Sequence, residues 1–328
     1  MNFSFRFDFA ARRFLCGKFY LCALMLRLGT GTGGASALRK GKMKKQANST
    51  KRLVEASIMI ALATVLSMLK VVDMPYGGSV TAASMLPIVI VSYRHGIGTG
   101  LISGGVFAVI QQLLGLNTLS YVTTWQSVIA VITIDYIIAF TVVGLAGFTK
   151  GKIMPSATES RRQSVELAVG CVAVCVLRYI CHVIAGATVW AGLSIPTEAA
   201  MIYSLGYNAT YMLPETIVTT LAAAWIGGVI DLKKSVPERF ARVGSVGTER
   251  SGWIDAIPSL AALITVIIVA IETILVAPYL QNAESGEFDF SGLSSAPWVA
   301  ISIVSAVGIV LVAALLVSRC VMAKRNAE

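Results

Sequence analysis

Charge is scarce in this sequence: Asp, Glu, Lys and Arg make up only 13% of its 328 residues, about half the ~25% usual in soluble domains. Signatures of chemistry are scarce as well. There is no HExxH and no GxSxG, which argues against a metalloprotease or an α/β-hydrolase. Without a GxxxxGK[ST] run the chain has no phosphate-cradling loop, so any use of ATP falls to separate subunits. Six cysteines occur but no CxxC. Cys171, Cys175 and Cys181 share one apolar segment, where cysteine acts as a small hydrophobe, and neither a disulfide framework nor a metal site is read from them. The run Gly29-Thr-Gly-Thr-Gly-Gly34 fits a dinucleotide loop in letters only, because no strand precedes it and no helical repeat follows. No cofactor is implied.

What the chain does have is apolar length. Its mean hydropathy is +0.76, and apolar stretches of roughly 20 residues recur, each enough for a bilayer core of about 30 Å. Lipid cannot satisfy backbone hydrogen bonds, so such spans are helices or a closed barrel, and the ten-residue alternation of barrel strands is missing. The expected fold is an all-α polytopic membrane helical bundle. Spans are placed at 53–70, 84–94, 97–115, 121–148, 165–190, 198–231, 255–280 and 296–319. The second is short and follows the turn signal Pro75-Tyr-Gly-Gly78. It is expected inside the bundle, with Pro87 in its first turn.

The net charge of +10 is not a nucleic-acid signal. Up to Arg52 there are twelve Lys/Arg and one Asp, whereas the remainder carries fifteen Lys/Arg against sixteen Asp/Glu. The excess thus sits in one arm, suited to an anionic membrane face. Its apolar piece, 14–28, is broken by Lys18 and Arg27. It reads as an overlong gene start, with the working protein beginning near Met43, in preference to a signal-like segment, for which no small-residue cleavage site stands out. Lys and Arg recur in alternate loops, at Arg94, at Lys150 to Arg162, at Lys233 to Arg242 and at Arg319 to Arg325. By the positive-inside rule both termini are cytoplasmic in a multi-pass cell-membrane protein. The division expected is a basic arm over 1–50, a six-helix core over 51–234, and a linker with an appended C-terminal two-helix hairpin over 235–328.

Ionisable groups within membrane spans default to functional hypotheses, and three stand out: Asp135, Arg178 and His182. The competing reading is a buried ion pair or a satisfied core histidine. Spacing favours a site. Arg178, His182, Gly186 and Trp190 recur every four residues and share a helix face, as do Tyr203, Tyr207 and Tyr211 with Asn208 beside them. Trp125 lies about three turns before Asp135 on the fourth span. Aromatic faces with one carboxylate suit a flat, cationic or amine-bearing solute, while a single cation suits a phosphorylated ligand poorly.

The segments Glu55-Ala-Ser-Ile-Met-Ile-Ala-Leu-Ala63, Met74-Pro-Tyr-Gly-Gly-Ser-Val-Thr81, Asp135-Tyr-Ile-Ile-Ala-Phe140, Arg178-Tyr-Ile-Cys-His182 with Gly186 and Trp190, and Tyr203-Ser-Leu-Gly-Tyr-Asn208 resemble the thiamine-specific substrate-binding component of energy-coupling factor transporters. The resemblance spans about 51–234. It implies an outward-facing pocket contacted by Tyr76, Trp125, Asp135, Tyr136, Arg178, His182, Gly186, Trp190, Tyr203 and Asn208. Asp135 would meet the cationic ligand, His182 and Asn208 its polar edges, and Trp190 and Tyr203 its rings. Asp135 stands where the family has glutamate, and Tyr-Gly-Gly follows Pro75 where a tryptophan can stand. The resemblance further implies partners: a transmembrane coupling subunit docking on small residues of the first helix, Ser57 and Ala61, and two ATPase subunits. The function expected is thiamine capture without enzymatic chemistry. The alternative is a free-standing secondary carrier of thiamine or another small aromatic amine or vitamin, against which stands the lack of an inverted repeat or broken helix pair.

Overall fold

A computed structural model describes residues 32–74, 77–122, 124–189, 197–240, 252–280 and 289–325. It divides into two units, Met1–Val54 and Glu55–Glu328. Of the first, the helical backbone from Thr32 onward and the side chains of 49–54 are described. The account below concerns the second.

Helix α1 (Thr32–Met68) leads into a small antiparallel pair, β1 (Lys70–Asp73) and β2 (Ser79–Thr81), with Val72 opposite Val80 and Asp73 opposite Ser79. The turn signal thus yields a hairpin rather than a plain loop. Gly77 and Gly78 hold φ values of +98° and +84°, a region that residues with a Cβ rarely enter. Then follow α2 (Leu86–His95), α3 (Ile97–Leu114), α4 (Trp125–Thr149), α5 (Glu159–Thr188), α6 (Glu198–Val229), α7 (Gly252–Val276) and α8 (Trp298–Arg325).

Among the described residues, α3 to α6 and the segments 257–280 and 298–322 are long and apolar enough to cross a membrane. The sequence places two more spans, on α1 and α2. Helix α2 has only ten residues, opens with Pro87 in its first turn, and buries every side chain from Leu86 to Tyr93. It is the short inner helix the sequence suggests, at the centre of a cluster with Ala63, Phe107, Phe140, Val143, Leu167 and Val174. Helix α1 turns Ile58, Leu62, Val65 and Met68 outward, an apolar stripe that suits lipid.

Close helix approach sets the frame of the core. A Cβ on Gly144 would lie 2.2 Å from the Gly100 backbone, so α3 and α4 cross where neither has a side chain. Ser92 Oγ donates to the Gly144 carbonyl from α2. At one end of the bundle Arg94 pairs with Glu55 and donates to Leu232 O, Lys150 donates to Arg94 O, and Lys233 pairs with Glu159. Burial there, with the charges of Lys233 and Arg94 adding to it, holds the Lys150 ammonium below its ordinary pKa. Helices α7 and α8 form a hairpin tied by Ser305 Oγ donating to Glu272, and α7 packs against α6, where Trp225 Nε1 donates to Ser259 Oγ.

Candidate functional site

Away from that charged end, a cavity of about 970 Å³ opens between β1–β2 and helices α3 to α6. This lies at the upper end of the ~300–1,000 Å³ typical of small-molecule sites. Lys70 and Asp73, paired at 2.8 Å, stand at its rim.

Helix α4 delivers the first acidic group through a local irregularity. Its stretch Ile132–Ile138 is π-helical, a widened turn frequent at functional sites. Ser127, Val131 and Asp135 are its buried residues on this side, spaced four apart and so on one face. Asp135 is 9% exposed, and its Oδ1 lies 2.9 Å from His182 Nδ1. With the carboxylate accepting from Nδ1–H, the neutral imidazole presents Nε2 as an acceptor. Among the described residues that Nε2 is buried without a hydrogen-bond partner, and His182 lines the cavity. A ligand N–H would satisfy it.

Arg178, one helical turn before His182, sits over the Phe140 ring with its guanidinium carbon 4.3 Å from the centroid. Its Nη1 pairs with Glu215 of α6 at 3.1 Å. Glu215 Oε1 in turn accepts from Thr81 Oγ1 at 2.6 Å and Ser84 Oγ at 3.3 Å. The sequence-based selection left Glu215 out, along with Thr81 and Ser84. A usable signal did exist: a glutamate inside an apolar span, with an arginine on the preceding one, satisfies the same rule that singled out Asp135. Among the described residues that line the cavity, Asp73, Asp135 and Glu215 against Lys70 and Arg178 leave one net negative charge while His182 is neutral.

The tyrosines of α6 form an aromatic wall. Tyr203 and Tyr207 are stacked, with centroids 6.2 Å apart and an interplanar angle of 7°, and Tyr211 meets Tyr207 edge-on at 6.0 Å. Tyr207 donates to the Gly77 carbonyl at 2.5 Å, so the wall also holds the β-hairpin at Gly77. Asn208 Oδ1 accepts from Tyr211 at 2.6 Å, and its Nδ2 donates to Ser204 O at 2.8 Å. Gly186 lines the cavity, and a Cβ there would fall 2.4 Å from Ser204 Oγ. Tyr136 lines it too, bonded to Thr118 Oγ1 at 2.7 Å.

Of the ten candidate ligand contacts, Asp135, Tyr136, Arg178, His182, Gly186, Tyr203 and Asn208 therefore meet around one space. Tyr76 and Trp190 lie outside the described residues. Trp125 does not join them: it is 70% exposed, because it stands two residues before the buried Ser127 and is rotated by about 200° around the helix. Ser57 and Ala61 lie on the exposed face of α1.

The family model described as thiamine transporter protein (Thia_YuaJ) matches residues 53–230. The chain is 31% identical over 180 residues to the thiamine transporter ThiT of Bacillus subtilis (strain 168), an alignment covering 54% of this chain and 90% of that protein. A solved structure of ThiT from Listeria monocytogenes is 20% identical, covering 55% of this chain and 94% of its own, at a TM-score of 0.45.

Proposed function

This chain belongs to the thiamine transporter protein family, and from that membership we propose that it captures thiamine from outside the cell and delivers it inward with a separate ATP-driven coupling module. The observation that carries the ligand reading is the Asp135–His182 pair, 2.9 Å apart beside the tyrosine wall. Thiamine brings a permanently cationic thiazolium ring, an aminopyrimidine and two flat faces. The net negative cavity attracts the cation, His182 Nε2 accepts from the exocyclic amine, and Tyr203 offers a ring face.

Three features support the coupled route. The sequence has no phosphate-binding loop, so energy must come from elsewhere. Helix α1 exposes Ser57 and Ala61 beside Ile58 and Leu62, a face on which another helix can approach closely. The loop charges orient both termini inward, which leaves the β1–β2 end of the cavity facing outside. The six-helix core over 51–234 acts as the capture unit, and the transmembrane coupling subunit with two ATPases as its partners.

Calorimetric titration of the purified chain with thiamine tests the ligand. Saturable binding, lost in Asp135→Ala and His182→Ala and kept in Glu272→Ala, is expected. A well-folded protein that ignores thiamine would overturn the assignment. Uptake by this chain alone in proteoliposomes, driven by an ion gradient, would replace the coupled route with a free-standing carrier.

A further inference from the structure

The α7–α8 hairpin lies outside the stretch that matches the family, which ends at residue 230. Its outer end nevertheless touches the cavity wall from behind. Leu280 is 5% exposed and clusters with Met74, Val80, Tyr211 and Met212, while Val276 and Leu293 pack at the border of that cluster beside Val72 and Tyr207. Met74, Tyr207 and Tyr211 also line the cavity. Each therefore has one side toward the ligand space and another toward the hairpin.

A second contact falls between two of the wall tyrosines. A Cβ built on Gly206 would meet the tip of the Phe290 ring at 2.3 Å. The missing side chain is thus the seat for Phe290, directly between Tyr203 and Tyr207 in sequence. The described residues that flank these groups are tied to one another. Asp289 N–H donates to Leu280 O at 3.1 Å, Asp289 Oδ1 accepts from Ser291 N–H at 3.0 Å, and Trp298 Nε1 donates to Leu293 O at 2.8 Å.

The β1–β2 pair needs such support. Its strands have four and three residues, and a two-stranded hairpin is marginal by itself in water. The side chains that anchor it, Met74 and Val80, are 8% and 2% exposed. They are buried by α6 on one hand and by Leu280 on the other.

We propose that Leu280 and Phe290, at the outer ends of the appended hairpin's two arms, form a latch for ligand capture, as positioning residues that hold the β1–β2 lid and the tyrosine wall in their closed arrangement. The ligand-release arm of its test rests on the thiamine reading; the lid arm does not. A latch acts on opening, so it slows dissociation more than it speeds association.

The test uses the full chain in lipid nanodiscs, with Leu280→Ala, Phe290→Ala and Gly206→Ala, whose new methyl displaces the Phe290 ring. Val310→Ala, on the exposed face of α8, serves as control and should leave exchange and release at the wild-type rate. Hydrogen exchange without ligand is expected to rise roughly tenfold across 70–81 in the three variants, with α2 and α3 unchanged, since local opening is read segment by segment. Thiamine release should accelerate by about three- to tenfold, with association within about twofold of wild type. Lid exchange at the wild-type rate, or an equal rise throughout α2 and α3, overturns the latch. A lid that loosens in variants of a chain that never binds thiamine upholds the latch and removes the ligand assignment, so the two failures are distinguishable.

Discussion

Arg178 Nη1 lies 3.1 Å from Glu215 Oε2, with the two side chains only 8% and 1% exposed. The pair ties α5 to α6, and through Thr81 and Ser84 it ties both to the end of β2. It also decides what charge the cavity offers, because a guanidinium without this partner would cancel Asp135. A carboxylate far from Arg178 in sequence thus leaves the cavity with a net negative formal charge.

Removing Glu215 separates stability from selectivity. Glu215→Ala strands a buried guanidinium, a change that costs about 3–5 kcal/mol in comparable pairs, and a large drop in thermal midpoint is expected. Glu215→Gln keeps hydrogen-bonding capacity toward Thr81 and Ser84 and should fold. Its thiamine affinity should fall by about tenfold or more, equivalent to ~1.4 kcal/mol. Thiamine monophosphate should meanwhile gain relative to thiamine, and calorimetry with both ligands reads the ratio. Equal losses for the two would refute the charge-setting role.

Asp135 and His182 should behave as one unit. Asp135→Asn no longer compels Nδ1 to carry the proton, so the acceptor at Nε2 is lost from part of the population. Each single change, Asp135→Asn or His182→Ala, should weaken thiamine binding strongly, and the double variant little further. A coupling energy of about 0.5–3 kcal/mol in the cycle is the expected sign of direct contact. Additive losses would mean two separate ligand contacts.

The aromatic residues should split by position. Trp125, 70% exposed, faces away from the cavity, and Trp125→Phe should leave thiamine affinity within about twofold. Tyr203→Ala should weaken it by roughly tenfold, since aromatic–cation contact contributes about 0.5–2 kcal/mol. The reverse ranking would place the ligand outside this cavity.

Helix α1 offers a separation of capture from transport. Ala61→Trp adds bulk on an exposed face outside the cavity. Thiamine binding by the purified chain should be unchanged, while ATP-dependent uptake in cells with the coupling module should be lost. Unimpaired uptake would move the docking face elsewhere.

The crossing of α3 and α4 gives a stability test. Gly144→Val would drive a side chain into the Gly100 backbone, 2.2 Å from its Cβ position, whereas Gly98 has none of the described residues within 4 Å. Overpacking costs about 1–3 kcal/mol or more, so the yield of folded Gly144→Val should collapse and that of Gly98→Ala should hold. Comparable yields would mean that the helices cross elsewhere.

Much of this protein is decided by local rules acting on the sequence. Lipid forces apolar segments into helices, so the course of α3 to α8 is legible from hydropathy alone. Pro87 and the turn before it mark α2 as short. Helical periodicity places Arg178, His182 and Gly186 on one face, and Tyr203, Tyr207 and Tyr211 on another, because a helix repeats every 3.6 residues whatever surrounds it. Which faces meet is a different matter, set by packing between segments far apart in the chain. Only the tertiary structure joins Glu215 to Arg178, 37 residues away. Only it rotates Asp135 inward on a π-helical turn and Trp125 outward. The seat of Phe290 on Gly206 could not be read from either segment, since a missing side chain acquires meaning only when another fills its place.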